Sequence, residues 1–155
     1  MKGGQSMDEV SRREMMKLEN QMCFPLYAAA RKVTSLYTPW LKQLGITYTQ
    51  YITFLVLWEQ DGLTVGEICD RLMLDNGTVS PLLKKMESAG YVRRSRSAED
   101  DRVVVITLTE QGRDLQKEAE DIPEKVGGCI DLSPEKAIQL YELLYEILGN
   151  ERRTK

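Results

Sequence analysis

The side chains of this sequence that could react are its three cysteines, because the chain of 155 residues contains no histidine. Without histidine, the usual acid–base dyads and the common zinc and iron sites are excluded. The cysteines lie far apart and form no CxxC ligand pair. We therefore predict that the protein holds no metal and no cofactor, and the thiols are the side chains whose reactivity needs to be considered.

Cys23 lies in the segment NQMCFPLY and has two interpretations. A cysteine in an apolar helix is usually a small buried hydrophobe. Cys23 also lies near a predicted helix N-terminus, where the macrodipole stabilises a thiolate. Hydroxyls that could donate hydrogen bonds to that thiolate belong to Tyr27, Tyr37, Tyr48 and Tyr51. The chemistry alone leaves a structural and a reactive Cys23 both open.

The other two cysteines occupy different settings. Cys69 is on the inward side of a short predicted helix, which indicates a core residue. Cys129 follows Gly127-Gly128 in a predicted loop, where we expect the side chain to be exposed. It is either an ordinary surface thiol or a residue that resolves an oxidised cysteine.

Residues 64–90 predict two helices joined by a short turn. The first, Thr64–Leu72, opens with a capping box formed by Thr64 and Glu67. The second, Asn76–Gly90, has an apolar side made of Val79, Leu82, Leu83, Met86 and Ala89. This pattern is typical of a helix-turn-helix, whose second helix enters the major groove. The residues expected to face DNA are Thr78, Ser80, Pro81, Lys84 and Lys85.

A β-hairpin is predicted directly after the two helices. YVRRSR is a basic first strand, SAEDD an acidic turn and RVVVITLT an apolar second strand. The net charge of the chain is −3, yet residues 77–109 carry six basic and four acidic residues, so positive charge is concentrated there. Phosphate contacts are expected from Arg93, Arg94, Arg96 and Arg102. Residues 63–109 therefore predict a winged helix-turn-helix; the alternative is a small α/β subdomain with an ordinary solvated helix.

Before residues 63–109, which we call the winged helix-turn-helix lobe, the sequence predicts a flexible start and three helices. Residues 1–13 contain few apolar residues and predict the flexible start. The main N-terminal helix is expected to begin near Asn20–Phe24, with Pro25 in its first turn. Further helices begin at Thr38-Pro39 and at Thr47, which forms a second capping box with Gln50.

After the lobe, Thr109 predicts a helix to about Lys125, and Ser133-Pro134 predicts a last helix with a broad apolar stripe. The helical regions 14–62 and 110–155 have more apolar surface than a small winged domain can cover. Pairing with a second copy would bury it, so we predict a homodimer through these end helices.

The whole chain is long enough for one domain elaborated by extra helices. It contains no apolar run that could cross a membrane, and its first eleven residues are polar without a signal segment. We therefore predict a cytoplasmic protein without membrane association, in which the cysteines are free thiols at rest.

Six segments carry a resemblance to a known family: LENQMCF around Cys23, LY at Leu36-Tyr37, ITYTQY at Ile46–Tyr51, LWE at Leu57–Glu59, LDNGTVSPLLKKME at Leu74–Glu87, and DDRVVVITLTEQG at Asp100–Gly112. The chain resembles the MarR family of regulators from end to end, and more narrowly its OhrR branch, which senses organic hydroperoxides. The signature DxR…LTxxG is typical of MarR proteins, and the NQxCF block is more selective for OhrR. The resemblance implies a mainly α fold with a small β wing (α+β): a winged helix-turn-helix with N- and C-terminal dimerisation helices. Pro25 and Thr49 depart from the pattern, since Thr49 replaces a common proline.

The resemblance also implies how the cysteines work. Cys23 would be the peroxide-reactive thiolate, and Tyr37 and Tyr48 would donate hydrogen bonds to it across the dimer. Oxidation to a sulfenic acid would be followed by capture, either by the partner subunit's Cys129 or by a small thiol.

The implied function is a repressor that binds double-stranded operator DNA as a homodimer and releases it when an organic hydroperoxide oxidises Cys23. Arg102 would enter the minor groove, oriented by Asp100. One alternative is a MarR-type repressor released by a small aromatic ligand, in which Cys23 is structural. A thiol peroxidase is the other alternative, but it would leave the helix-turn-helix and wing without a purpose, so we predict that the protein is not an enzyme.

Overall fold

The computed structural model describes residues 7–149, with side chains from residue 11 onwards. The chain divides into two compact units, Met1–Ile122 and Pro123–Lys155. Within the described residues the helices are α1 (Met7–Met15), α2 (Cys23–Leu36), α3 (Thr38–Gln43), α4 (Tyr48–Glu59), α5 (Val65–Leu72), α6 (Asn76–Ser88), α7 (Glu110–Ala119), α8 (Ile122–Gly127) and α9 (Pro134–Ile147). The strands are β1 (Leu63–Thr64), β2 (Val92–Arg96) and β3 (Val104–Leu108). The predicted mainly α fold with a small β wing is confirmed.

Helix α1 lies where the sequence predicted a flexible start. Its segment contains neither glycine nor proline, and its last turn carries Arg12 and Arg13, whose charges favour a helix C-terminus. Residues 7–13 are therefore helical, and residues 1–6 of the predicted flexible segment lie outside the described residues. A short 3-10 turn, Leu18–Asn20, separates α1 from α2.

Both prolines of the N-terminal helices lie in first turns. Helix α2 begins at Cys23, so Pro25 is its third residue, where the missing N–H costs no intrahelical bond. Pro39 is the second residue of α3, and Gly45, with a φ of +70°, follows the end of that helix. These helix starts confirm the predictions.

Helix α4 opens with the predicted capping box. The Gln50 backbone N–H donates to Thr47 Oγ1 at 3.3 Å, and the Thr47 N–H donates to Gln50 Oε1 at 2.8 Å. Because this pair defines the start, Tyr48 is the first residue of α4 even with Thr49 in place of a proline.

The predicted helix-turn-helix consists of α5 and α6. At α5 the Glu67 N–H donates to Thr64 Oγ1 at 3.2 Å, and the Thr64 N–H donates to Glu67 Oε2 at 2.7 Å. Helix α6 is capped by Asp75, whose Oδ1 accepts from the Thr78 N–H at 2.9 Å. Between the helices, Met73 has the left-handed conformation with a φ of 53°, the single non-glycine residue in 7–149 with a positive φ.

The three strands form one antiparallel sheet in the order β1-β3-β2. The predicted hairpin is β2 and β3, paired from Val92↔Leu108 to Arg96↔Val104. Strand β1 adds the pair Leu63↔Ile106 on the other edge of β3. The sequence did not predict β1, because two residues are too short to show the alternation of a strand.

The core of the first unit lies between α4, α5, α6 and the sheet. Its fully buried large side chains include Phe54, Leu57, Ile68, Val79, Leu83, Met86, Val92 and Ile106. The Phe54 ring stacks on Trp58 with centroids 5.2 Å apart and meets Tyr91 edge-on at 5.4 Å. Ala89, predicted on the apolar side of α6, is exposed because it follows the last helical residue.

The predicted single helix from Thr109 to about Lys125 is wrong, because the structure has two helices. Helix α7 ends at Ala119, and α8 begins at Ile122. Pro123 explains the break, since proline cannot continue a helix but fits a first turn. Gly112 allows α7 to pack closely against the Tyr91 backbone, which the sequence did not reveal. A Cβ at this position would lie 2.2 Å from the Tyr91 backbone oxygen.

In the second unit, α8 ends at Gly127, and Ser133 caps α9 by accepting from the Lys136 N–H at 3.4 Å. Both features confirm the predictions. Among the residues of α9, all of which are described, none is buried.

In residues 7–149 no helix is long and apolar enough to span a bilayer.

Candidate functional site

The polar side of α6 presents the residues that the sequence assigned to the major groove. Thr78, Pro81, Lys84 and Lys85 are exposed, and Ser80 is half-buried. The opposite side of the same helix is buried through Val79, Leu83 and Met86. The structure therefore brings all five predicted residues to one side of a firmly packed helix, as a recognition helix requires.

The first turn of α6 is held by side-chain hydrogen bonds. The Thr78 hydroxyl donates to Asp75 Oδ2 at 3.0 Å, and the Ser80 hydroxyl donates to Asn76 Oδ1. The hydrogen bonds from the Thr78 side chain and backbone lower the pKa of Asp75. Asn76 itself is exposed beside Thr78 in this turn and was not among the predicted DNA-facing residues. Its place as the first residue of α6 was the sequence signal that could have identified it.

The wing carries three exposed arginines, Arg93, Arg96 and Arg102. The Arg102 side chain is 93% exposed, and its Nε donates to Asp100 Oδ1 at 3.3 Å. The same Asp100 oxygen accepts from the Arg102 backbone N–H at 2.9 Å. Asp100 thus binds both the backbone and the side chain of Arg102 at the wing turn.

Arg94 differs from the other arginines of the wing. Its side chain is only 22% exposed, and its Nη1 lies 3.8 Å from Glu87 Oε2 on α6. Its Nε is buried without a hydrogen-bond partner. Strand alternation accounts for this, because Arg94 shares a face of β2 with the buried Val92. Arg94 therefore connects the wing to α6, and Glu87 is a connecting residue that the sequence analysis missed.

The three thiols have unequal exposure. Cys23, at the first position of α2, and Cys129, in the turn after α8, are exposed and free. The Cys129 thiol donates to the Lys125 backbone oxygen at 3.3 Å. Cys69 is half-buried, not fully buried as expected, because Ile68 takes the inward position on α5. Burial and the carboxylates of Asp70 and Asp75 raise the pKa of Cys69, which keeps it a thiol.

Tyr37 and Tyr48 lie together at the junction of α2, α3 and α4. Their ring centroids are 5.1 Å apart, and Tyr51 lies 5.6 Å from Tyr37. Burial, then the neighbouring Tyr37, raises the pKa of both Tyr48 and Tyr51. These hydroxyls are therefore protonated at neutral pH and available as hydrogen-bond donors.

A surface groove of about 470 Å³ lies along α7, between Leu44 and Tyr91. Its walls carry the carboxylates Glu110, Asp114 and Glu118. Three carboxylates in one groove repel a ligand that carries negative charge. Within residues 7–149 no group of three His, Cys, Asp or Glu side chains is placed to hold a metal ion.

The sequence is similar to those of known transcriptional regulators. Residues 35–119, more than half of the chain, match the family described as transcriptional regulator SarA/Rot. The organic hydroperoxide resistance transcriptional regulator of Bacillus subtilis (strain 168) is 49% identical over 133 residues, which cover 86% of this chain and 90% of that protein.

Solved structures of AbfR, a Staphylococcus epidermidis protein, are also similar. Reduced AbfR bound to DNA is 37% identical with a TM-score of 0.71, covering 90% of this chain and 97% of that chain. AbfR in its disulfide form, at the same identity, has a TM-score of 0.61 and covers 90% of this chain and 98% of that chain.

These relatives are transcriptional regulators, so the prediction that the chain is not an enzyme is confirmed. Both matches cover most of the chain and are not limited to one motif. The chain belongs to the MarR family of winged helix-turn-helix transcriptional regulators, in the branch of the organic hydroperoxide regulators.

Proposed function

We propose that this protein is a cytoplasmic, homodimeric repressor that binds operator DNA through α6 and the wing and releases it when an organic hydroperoxide oxidises Cys23. The main support is the 49% identity to an organic hydroperoxide resistance regulator, combined with an exposed Cys23 at the start of α2.

DNA binding is assigned to the polar side of α6 and to the wing. Thr78, Ser80, Pro81, Lys84 and Lys85 face the major groove, and Arg93, Arg96 and Arg102 meet phosphates and the minor groove. Several phosphate contacts predict a steep fall of affinity with salt. An affinity that hardly changes between low and physiological salt would contradict this assignment.

The sensor reaction begins at the Cys23 thiolate. Its sulfur attacks the peroxide O–O bond, which breaks; the sulfur gains one oxygen as a sulfenic acid, and the other oxygen leaves as the alcohol after taking up a proton. The hydroperoxide is reduced and the cysteine is oxidised. The thiol of the partner subunit's Cys129 then attacks the sulfenic sulfur, an S–S bond forms and water leaves.

In this proposal Tyr37 and Tyr48 donate to the Cys23 of a second chain, because they lie far from the Cys23 of their own chain. The 14 residues of α2 place about 21 Å of helix between Cys23 and Tyr37. Tyr48 lies beside Tyr37, with ring centroids 5.1 Å apart, and therefore belongs to the same end of α2. An antiparallel pairing of α2 in a dimer would bring the two tyrosines of one subunit to the Cys23 of the other.

The apolar side chains of the end helices support the dimer. Met22, Phe24, Leu26 and Tyr27 are exposed around the start of α2. In the second unit, α9 exposes Ile138, Leu140, Tyr141, Leu143 and Ile147. Apolar side chains left exposed in such number along one helix are typical of an interaction site.

Release follows if oxidation changes the conformation that presents the two α6 helices to DNA. AbfR supports this step by analogy, because its reduced, DNA-bound form and its disulfide form have TM-scores of 0.71 and 0.61 to this chain at the same identity. The two forms of that protein therefore differ in conformation. A change of about 3 kcal/mol in relative stability alters binding roughly a hundredfold.

Fluorescence anisotropy on DNA from upstream of the protein's own gene, before and after addition of an organic hydroperoxide, tests the proposal. We expect wild type to release the DNA, Cys23→Ser to stay bound, and Cys69→Ser, the matched control, to release it like wild type. Release by Cys23→Ser would make Cys23 structural and would favour a ligand-released repressor.

Mass spectrometry of the oxidised protein tests the second step. A Cys23–Cys129 disulfide linking two chains is expected, and Cys129→Ser should abolish it. A mixed disulfide between Cys23 and a small thiol, with no link to Cys129, would show that a small molecule resolves the sulfenic acid instead.

A further inference from the structure

Asp61, the residue after α4 and its C-cap, binds three donors. Its Oδ1 accepts from the Leu108 backbone N–H at 2.8 Å and from the Gly62 N–H at 2.9 Å. Its Oδ2 accepts from Arg113 Nη2 at 2.7 Å. The Asp61 side chain is only 30% exposed. A carboxylate with three short hydrogen bonds, one of them to a guanidinium, is held in a single orientation.

The partners of Asp61 belong to separate elements. Leu108 is the last residue of β3, the central strand of the sheet, and it is buried. Arg113 lies in the first half of α7. The Asp61 carboxylate therefore joins the end of α4, the base of the wing and the following helix, across 47 and 52 residues of sequence.

A second hydrogen bond reinforces the same junction. Trp58 Nε1 on α4 donates to the Gly112 backbone oxygen on α7 at 2.9 Å. Gly112 lies against the Tyr91 backbone so closely that a side chain there would collide with it. The chain just before β2 and the helix after β3 are thus fixed to the end of α4 at neighbouring points.

We propose that Asp61 is a positioning residue for the wing: its bond to the base of β3 determines where Arg102 lies relative to α6, and hence whether the wing and the recognition helix reach DNA together. Asp61 does not touch DNA itself in this scheme. The inference rests on the DNA-contacting part of the proposed function and does not depend on the reaction of Cys23.

A double-mutant cycle between Asp61 and Arg102 tests it, with operator affinity measured on the reduced full-length protein. Arg102→Met should weaken binding about tenfold, as expected for the loss of one groove contact. Asp61→Ala should weaken it about tenfold as well. Because a displaced wing no longer brings Arg102 to the DNA, the double variant should lose only about twentyfold, and not the hundredfold of two independent sites.

Asp61→Asn covers the case in which alanine does not fold. It keeps an oxygen for the Leu108 N–H and loses the charge that faces Arg113, so we expect about threefold weaker operator binding. Combined with Arg102→Met, it should again lose less affinity than the product of the two single losses. Asp114→Asn is the matched control, because Asp114 pairs only with Lys117 within α7 among the bonds of the described residues. It should leave affinity unchanged and combine multiplicatively with Arg102→Met.

Losses that multiply for Asp61 and Arg102, or an affinity unchanged in both Asp61 variants, would overturn the inference. A merely structural Asp61 would lower the melting temperature and still give multiplicative losses. Since hydroperoxide is absent from the cycle, failure of wild type to respond to oxidation would count against the sensor proposal alone.

Discussion

The winged helix-turn-helix lobe and α4 enclose a core within one chain, whereas the helices α2 and α9 leave their apolar side chains in solvent. In the lobe, Ile68, Leu83, Met86 and Ile106 are completely buried. Helices α2 and α9, both fully described, contain no buried residue at all. One chain is therefore enough to define the DNA-binding surface, and we propose that a second copy covers the end helices.

The largest effect should come from placing a charge on an end helix. Leu143, 57% exposed on α9, becomes charged in Leu143→Glu, which opposes burial between subunits. We expect a shift from dimer to monomer in size-exclusion chromatography with light scattering, and at least a hundredfold weaker operator binding. Gln139→Glu adds the same charge to the same helix at a polar position and should remain dimeric. A Leu143→Glu protein that stays dimeric would remove α9 from the interface.

A cavity in the core beneath the lobe should lower the free energy of unfolding without affecting dimerisation. Leu83→Ala leaves a hole where a completely buried side chain was, at a cost of about 3 kcal/mol. Urea unfolding at two protein concentrations measures it: the loss relative to wild type should be the same at both. A loss that varies with concentration would place Leu83 in contact with the partner.

Acid should destabilise the helix-turn-helix through its two capping carboxylates. Backbone and side-chain hydrogen bonds from Thr64 lower the pKa of Glu67, and those from Thr78 lower that of Asp75. A lowered folded-state pKa gives stability that is present above the unfolded value and is lost as pH falls through the folded value.

Glu67→Gln and Asp75→Asn keep hydrogen-bonding groups and cannot titrate. Each variant should be less stable than wild type at pH 7, and the difference should shrink below the ordinary carboxyl pKa of about 4. Thermal unfolding from pH 7 to pH 3 tests this. A difference that stays constant across the range would assign the loss to packing instead of charge.

The smallest effect is expected at the turn between α5 and α6. Met73 is half-exposed with a left-handed backbone, which asparagine adopts more readily than methionine. Met73→Asn should raise the unfolding free energy by about 0.5 kcal/mol. Met73→Ala also removes the methionine side chain, but it lacks the polar group with which asparagine hydrogen-bonds locally in this conformation, and it serves as the control. Equal stability of the two variants would show that the asparagine side chain gives no measurable advantage at this turn.

Several elements were predictable because their determinants lie within four residues of each other. The capping boxes at Thr47 and Thr64, the cap at Ser133 and the helix start at Cys23 all appear where the sequence placed them. The break before α8 was equally local, and Pro123 was the signal that we missed. The half-burial of Arg94 was also predictable, because Arg94 lies two residues after Val92 and so on the same face of β2.

The positions of the predicted site residues had to come from tertiary structure. The sequence by itself determined the polar face of α6, the basic strand and the cysteine at a helix start, since helix and strand periods assign side chains to faces. Only the folded chain brought Tyr37 to Tyr48, turned Arg94 toward Glu87 and joined Asp61 to Leu108 and Arg113. The Asp61 contacts depend on how distant segments close around the core in three dimensions, and no local propensity encodes that closure.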